Sequence, residues 1–235
     1  MAGGAMNTYT SIHSYVKRIA NKNIIPSHST CKKGSLSRLM DLVLVILAIP
    51  MIAPLLLAIA ILIKIDSRGK AFFSHTRIGK DGHSFQVLKF RTMVSNADEE
   101  LKQFFKKHPE FLAEWEATQK LKCDPRVTRV GKFLRRSSLD ELPQLINILK
   151  GEMSLVGPRP IYSDEEIQKF GDRFELYKQV RPGLTGLWQV SGRTNTTYER
   201  RVQLDEYYVR NWSIWLDIQI LFRTVRVVLL GEGAY

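Results

Sequence analysis

Two short stretches of this chain concentrate residue types that do chemistry. In the first, Arg135-Arg136-Ser137-Ser138-Leu139-Asp140-Glu141-Leu142-Pro143-Gln144, two arginines precede two adjacent carboxylates, and Gly157-Pro158-Arg159-Pro160 follows closely. An ionised carboxylate serves as nucleophile, base or metal ligand, and the planar guanidinium of arginine grips phosphate. A structural account exists beside the chemical one: Ser138 with Glu141 three residues on fits a capping box, and acids are favoured in a first helical turn. What weighs against a cap alone is the company. Lys89, Arg91, Arg135, Arg159, Arg181 and Arg193 all sit in short Gly- or Pro-rich or strand-end contexts, and cations around an acidic pair describe an anionic substrate bridged by a metal. The second stretch, Arg181-Pro182-Gly183-Leu184-Thr185-Gly186-Leu187-Trp188-Gln189-Val190-Ser191-Gly192-Arg193, is a tight backbone able to approach a ligand. Taken alone it reads better as a turn-rich connector.

The elements that must hold these residues begin with an apolar run. Leu42 to Ile63 is apolar throughout, long enough for a helix that crosses a hydrocarbon core of about 30 Å. Pro50 and Pro54 interrupt its middle, each removing a backbone donor. Both flanks are basic: Lys17, Arg18, Lys22, Lys32, Lys33 and Arg38 before it, Lys64, Arg68, Lys70, Arg77 and Lys80 after it. Basic residues prefer the cytoplasmic side, so a hairpin that enters, bends at the prolines and returns is favoured over a kinked span. Asp41 at its entrance reads as a helix-start carboxylate or a partner of a nearby Arg or Lys.

Before this run, Ile12, Val16 and Ile19 have helical spacing, followed by a Ser-rich linker. After it, Ala71–Ser74 and Phe85–Arg91 read as two strands joined through Gly79-Lys80-Asp81-Gly82, a hairpin signal. Asn96 to Lys120 is helical in period and interrupted at Pro109, and helices are expected from Val130 to Leu149. Near the end, Trp212, Trp215, Ile218, Phe222, Val225 and Leu229 form a helical stripe, with Arg223 and Arg226 away from it, suited to core packing or to an interface.

Composition bounds the function without choosing it. The 235 residues allow one ordinary globular core, and a formal charge of +12 points to anionic partners: nucleic acid, phosphorylated small molecules or an acidic membrane surface. Cys31 and Cys123 are too few and too far apart for a disulfide framework or a zinc site, which leaves free thiols in a reducing compartment. No cleavable signal peptide is expected, because the apolar run starts late and no small-residue cleavage site follows it.

The ordered set of Lys89-Phe90-Arg91-Thr92-Met93, Ser138-Leu139-Asp140-Glu141-Leu142, Gly157-Pro158-Arg159-Pro160 and Arg181-Pro182-Gly183-Leu184-Thr185-Gly186, behind an apolar hairpin, resembles the bacterial sugar transferase family, the monotopic phosphoglycosyl transferases. The likeness covers about Ser37 to Tyr235 and is greatest to the catalytic domain of the undecaprenyl-phosphate galactose phosphotransferase branch, including the Gly231-Glu232-Gly233-Ala234-Tyr235 ending. Members of that branch usually carry further membrane helices, so the chain reads as a shorter homologue or a catalytic piece. One departure is Ala53-Pro54, where the family often has Ser-Pro.

The resemblance implies an α/β mixed, mainly helical fold: a polar, amphipathic segment over 1–37, a re-entrant membrane helix-break-helix over 38–66, and a catalytic domain over 67–235 with a small antiparallel sheet and interfacial amphipathic helices. It implies a hexose 1-phosphate, galactose favoured, moved from a UDP-sugar to undecaprenyl phosphate at the cytoplasmic face of the bacterial inner membrane, with UMP released, as a first step of surface polysaccharide synthesis. Asp140 is then the covalent nucleophile, and Glu141 a metal ligand or a base orienting the acceptor. Asp140 and Glu141 together hold Mg²⁺. Arg91, Arg135 and Arg159 become candidates for phosphate contacts. Arg181, Pro182, Gly183, Thr185, Gly186, Gln189, Arg193 and Asp205 become candidates for the nucleotide and sugar, Asp205 with a role that is structural as readily as binding. Membrane lipid is a partner, nucleic acid is not, and a homodimer is compatible. UDP-glucose or a UDP-N-acetylhexosamine are the alternative donors. Release of UDP by a simple glycosyl transferase, and a noncatalytic basic membrane tether, are the competing readings.

Overall fold

The computed structural model describes residues 33–118, 121, 123–162, 164–192 and 196–230. The expectations for the N-terminal amphipathic helix, Cys31, Arg193 and the Gly231–Tyr235 ending therefore lie outside the described residues. Cys123 is a free, exposed thiol.

The apolar run forms one helix, α1 (Ser35–Asp66), with both prolines inside it. The expected helix-break-helix is thus not what the backbone adopts. The reason lies in where the prolines point. Ser37, Asp41, Val45, Ile59 and Ile63 are buried, and Ala48, Ile52 and Leu56 are half-buried between them, so one stripe faces the rest of the chain along the whole length. Pro50 and Pro54 are exposed, about half a turn from that stripe. Each ring crowds the carbonyl of the preceding turn and opens the outer side, which favours curvature towards the domain over a break. The outer side is strongly apolar, with Leu47 70%, Met51 81% and Ile65 77% exposed.

Both ends of α1 are fastened to the same domain. After α1 come β1 (Phe72–Ile78) and β2 (Ser84–Phe90), an antiparallel hairpin in register from Phe72↔Phe90 to Ile78↔Ser84. The expected turn is present, with Asp81 in the left-handed region at φ 56°. Next are α2 (Ala97–Lys107) and α3 (Leu112–Thr118), separated at Pro109 as the sequence indicates. The helical stretch expected from 130 to 149 is divided. α4 (Arg129–Ser137) ends at Ser138, Leu139–Glu141 make a 3-10 turn, and α5 (Gln144–Lys150) follows. β3 (Ser154–Val156) pairs in parallel with β4 (Gly183–Thr185), an addition to the antiparallel sheet the sequence indicates. The pairing brings Gly183 so close that a Cβ there would lie 2.1 Å from the Gly157 nitrogen. Between the two strands run α6 (Asp164–Phe170) and α7 (Phe174–Tyr177), and the chain continues through α8 (Tyr198–Arg210) and α9 (Ile214–Leu230).

The largest core cluster joins β3 to the last two helices: Val156, Val180, Leu187, Leu204, Tyr208, Val209 and Ile220. On α9 the inward residues are Asp217 and Ile220, with Leu216 and Leu221 partly buried. Most of the stripe read from the sequence faces outward instead, with Trp215 63%, Phe222 75%, Val225 59% and Leu229 79% exposed. The core-packing reading fails for those residues; Trp212 and Ile218 are half-buried, the Trp212 indole N–H donating to Asp217 Oδ2 at 3.0 Å.

A buried polar knot fixes the start of α1. Lys33 Nζ donates to Ser154 Oγ (2.8 Å), the Val156 carbonyl (2.5 Å) and Tyr208 OH (3.1 Å), and lies 3.4 Å from Asp217 Oδ2. Asp41 accepts from Ser154 Oγ at 2.6 Å and from the Leu155 amide at 3.1 Å. The Lys33 and Asp217 side chains are 7% and 0% exposed. Removing one member of such a pair strands the other charge in the interior. Lys33→Met is therefore expected to cost about 3–5 kcal/mol, read as a lowered unfolding midpoint in detergent, with Lys33→Met/Asp217→Asn recovering part of the loss.

Candidate active site

The hairpin supplies one wall of the site. Its register places Phe73, His75 and Arg77 of β1 on the same face as Val87 and Lys89 of β2, because side chains alternate along a strand. These five line a cavity of about 750 Å³ together with Arg91, Arg126, Arg135, Asp140, Glu141, Arg159, Trp188 and Gln189. Asn147 of α5 holds the hairpin in place, accepting from the Leu88 amide at 3.0 Å and donating to the Gln86 carbonyl at 2.7 Å.

The acid pair enters from a chain reversal. Ser138 adopts φ 56°, ψ 17°, a left-handed conformation that costs a non-glycine residue energy, and no side-chain cap forms there. The capping box expected of Ser138 and Glu141 is therefore absent: the Glu141 amide donates to the Ser138 carbonyl at 3.3 Å instead. The strained residue sits two positions before Asp140, at the head of the 3-10 turn that carries both carboxylates to the cavity. Asp140 and Glu141 side chains are only 14% and 15% exposed.

Cations from separate elements hold this pair. Lys89 Nζ lies 2.7 Å from Glu141 Oε1 and 3.8 Å from Asp140 Oδ2, and Arg159 reaches Glu141 Oε1 at 3.2 Å. Burial pushes the Asp140 carboxyl above the usual range; Lys89 opposes this and the neighbouring Glu141 adds to it. Glu141 in turn raises the Arg159 guanidinium. Arg135 lines the same cavity and donates from Nε to Thr92 Oγ1 at 2.9 Å.

The remaining sequence candidates divide. Arg91 lines the cavity, but its guanidinium donates to the carbonyls of Arg68 (2.5 Å) and Ser67 (2.8 Å), closing the C-terminal end of α1. Gln189 lines the cavity and donates to the Leu184 carbonyl at 3.1 Å. Gly183 borders a small pocket that adjoins the main one and shares Arg77, Lys89, Glu141 and Arg159 with it. Arg181, Pro182, Thr185 and Gly186 line neither. Arg181 Nε donates to the Gly151 carbonyl at 2.7 Å, the Pro182 carbonyl accepts from Ser154, Thr185 Oγ1 pairs with Thr224 Oγ1 at 2.7 Å, and Gly186 packs on the Gly157 carbonyl. Pro50 and Pro54 are remote, on the outer face of α1. Sequence reasoning missed His75, Arg126, Trp188 and the position of Arg77 in the wall. Strand alternation with Lys89 is the signal that would have found Arg77 and His75.

Two adjacent carboxylates at an open cavity could hold Mg²⁺, which commonly takes one or two carboxylates and completes its shell with water and substrate phosphate, through the oxygens that Lys89 and Arg159 leave free. Among the described residues no group of three or more His, Cys, Asp or Glu forms a metal cluster, so a ligand phosphate would have to finish the coordination of Asp140 and Glu141.

Asp205 lines neither pocket; it is 2% exposed, with Oδ2 3.8 Å from Arg201 Nε and no hydrogen bond to that oxygen among the described residues. Arg201 is engaged with Glu166 at 2.8 Å and with the Arg159 carbonyl at 3.4 Å. Burial pushes Asp205 up to about 7, against the attraction of Arg201. The folded chain thus holds a proton that the unfolded chain releases near pH 4, so this contribution to stability is present below about pH 4 and lost as pH rises through about 7. Asp205→Asn is expected to flatten that slope: denaturant midpoints at pH 5 and pH 8 should differ less in the variant than in the parent chain.

A cationic cavity around a largely buried acid pair suits anionic ligands, and the chain also carries a long helix with an apolar outer face. The chain belongs to the bacterial sugar transferase family, whose sequence profile matches residues 32–231. It is 53% identical over 200 residues to an uncharacterized sugar transferase of Haemophilus influenzae, covering 85% of this chain and 42% of that protein. It is 48% identical over 202 residues to the exopolysaccharide production protein ExoY of Sinorhizobium fredii, covering 86% and 89% of the two chains. It is 49% identical over 200 residues to the undecaprenyl-phosphate galactose phosphotransferase of Salmonella typhimurium, covering 85% of this chain and 42% of that one. The chain thus spans less than half the length of the Haemophilus and Salmonella relatives.

Proposed function

We propose that this chain transfers a hexose 1-phosphate from a UDP-sugar to undecaprenyl phosphate at the cytoplasmic face of the inner membrane, as an early step in surface polysaccharide synthesis. The observation that carries the reading is the placement of Asp140 and Glu141 on a strained turn inside a cavity lined by Lys89, Arg135 and Arg159. Asp140 is the nucleophile: its carboxylate attacks the sugar-bearing phosphorus, UMP leaves, and the phosphosugar-aspartate is then taken by the lipid phosphate. Lys89 and Arg159 hold Glu141 in place and neutralise phosphate oxygens as charge develops. Bound at Asp140 and Glu141, Mg²⁺ would supply further neutralisation of the diphosphate.

The membrane reading rests on α1. At 1.5 Å per residue its length exceeds the roughly 30 Å core, yet its two ends bond to one domain: Asp41 to Ser154 near the start, and Asp66 Oδ2 accepting from the Val130 amide at 3.2 Å near the end. A continuous helix fastened at both ends to one domain lies along the near leaflet with its apolar outer face in the lipid, keeping its basic flanks with anionic headgroups. The exposed apolar stripe of α9 then lies at the same boundary.

Galactose is favoured by the name of the Salmonella relative. Asp140→Asn is expected to reduce UMP release from UDP-galactose by a factor on the order of 10³ or more, while an assay of UDP-galactose, UDP-glucose and UDP-N-acetylhexosamines should give the fastest UMP release with UDP-galactose. Undiminished release by the variant would falsify the assignment of the nucleophile.

A further inference from the structure

A nucleoside needs a flat ring surface to stack on. The run that the resemblance offered for it supplies none, since Arg181, Pro182, Thr185 and Gly186 line neither pocket. The hairpin wall has rings of its own. Phe73 and His75 of β1 line the cavity, and Tyr162 stands beside them with its ring centroid 6.1 Å from that of His75. His75 is exposed, and Tyr162 is 54% exposed. The other rings in the lining are committed elsewhere. Phe90 is buried, and Trp188 donates its N–H to Thr196 Oγ1 at 2.8 Å, has Arg201 over its ring at 5.0 Å and packs on the core cluster of β3.

Tyr162 is held although it is exposed. The end of β1 is spliced to the segment that carries it: the Ile78 amide donates to the Ile161 carbonyl at 3.0 Å, and buried Tyr177 donates its hydroxyl to the Ile78 carbonyl at 2.6 Å while accepting from the Ile161 amide at 3.2 Å. The Tyr162 amide donates to Glu166 Oε2 at 3.0 Å. Its ring is fixed as well, because the Arg77 guanidinium lies over it, 4.7 Å from the centroid. A ring set in place before a ligand arrives loses little freedom on binding. Burial, with repulsion from Arg77 and Lys89, lowers the His75 imidazole, which leaves it an uncharged ring at neutral pH.

Register decides how far these rings lie from the chemistry. Phe73 pairs with Lys89, His75 with Val87 and Arg77 with Phe85, and successive rows are about 7 Å apart. Lys89 meets the acid pair, so the reacting phosphorus belongs to the first row. The base of a UDP-sugar lies beyond a second phosphate and a ribose, and so falls one or two rows further on. The first row also adjoins the end of α1 through Ala71, whose carbonyl accepts from the Arg91 amide, so the later rows lead away from that helix. We infer that His75 and Tyr162 form the ledge on which the base of the donor nucleotide stacks, with Arg77 behind Tyr162 as its support. This rests on the UDP-sugar donor proposed above and adds the place of its base.

The test uses two ligands that share a ribose and a phosphate and differ in the base, UMP and ribose 5-phosphate. Their binding to the full chain in detergent is measured by calorimetry. The parent is expected to hold UMP at least about tenfold more tightly. In His75→Ala/Tyr162→Ala that preference is expected to fall to about threefold or less, with ribose 5-phosphate binding unchanged, whereas a damaged fold weakens both ligands alike. Phe73→Ala, at the first row, and Tyr162→Phe should keep the preference. A preference retained by the double variant, or lost in Phe73→Ala, overturns the ledge, as does a parent that holds the two ligands equally. Should the double variant fail to fold, Tyr162→Ala alone decides, through a loss of about threefold or more. The transferase reading fails separately, if the parent forms no UMP from UDP-galactose, whatever its preference between the two ligands.

Discussion

Two carboxylates adjacent in sequence and about one-seventh exposed repel each other in a medium that solvates them poorly. The site exists because other elements bring cations to them. Lys89 comes from the hairpin and Arg159 from the loop after β3, and both converge on one Glu141 oxygen. Each depends on further packing. The hairpin is pinned by Asn147, and the Arg159 carbonyl is met by Arg201, whose side chain is buried against Glu166 and Asp205. The acid pair thus draws on most of the domain for its electrostatic balance.

The same dependence joins the site to α1. Arg91 closes the end of that helix from the residue next to Phe90, the last of β2, and Lys33 with Asp41 fastens its start to β3 and the Tyr208–Asp217 pair. Loosening either end would shift the cavity relative to the helix. α1 is apolar on both faces, and the polar residues it turns inward, Ser37 and Asp41, lie at its start, where Asp41 meets Ser154.

What could be read from the sequence follows from the range of each interaction. The hairpin turn at Asp81, the interruption at Pro109 and the acid pair are set by neighbours in the chain, and all were legible. Ser138 was misread: the Ser-x-x-Glu spacing fits a cap, but the preceding helix ends there in a left-handed residue, which composition does not reveal. Arg181 sat in a glycine-rich run that looks like a ligand loop, yet its partner is the Gly151 carbonyl 30 residues away. Asp41 and Ser154 are 113 residues apart, and no local rule joins them. In the sequence Arg77 reads as a basic flank of the apolar run, because it lies beyond the expected strand Ala71–Ser74, whereas β1 extends through it to Ile78. Only the register with β2 turns it into the wall.

The central claim is that Asp140 carries the sugar phosphate between the two substrates. Intact-mass and peptide mass spectrometry of the chain after brief exposure to UDP-galactose, without lipid acceptor, addresses it directly. The account predicts a hexose-phosphate increment on the peptide containing Asp140, lost on addition of undecaprenyl phosphate. UMP release with an unmodified chain, or an increment on a peptide lacking Asp140, would contradict it.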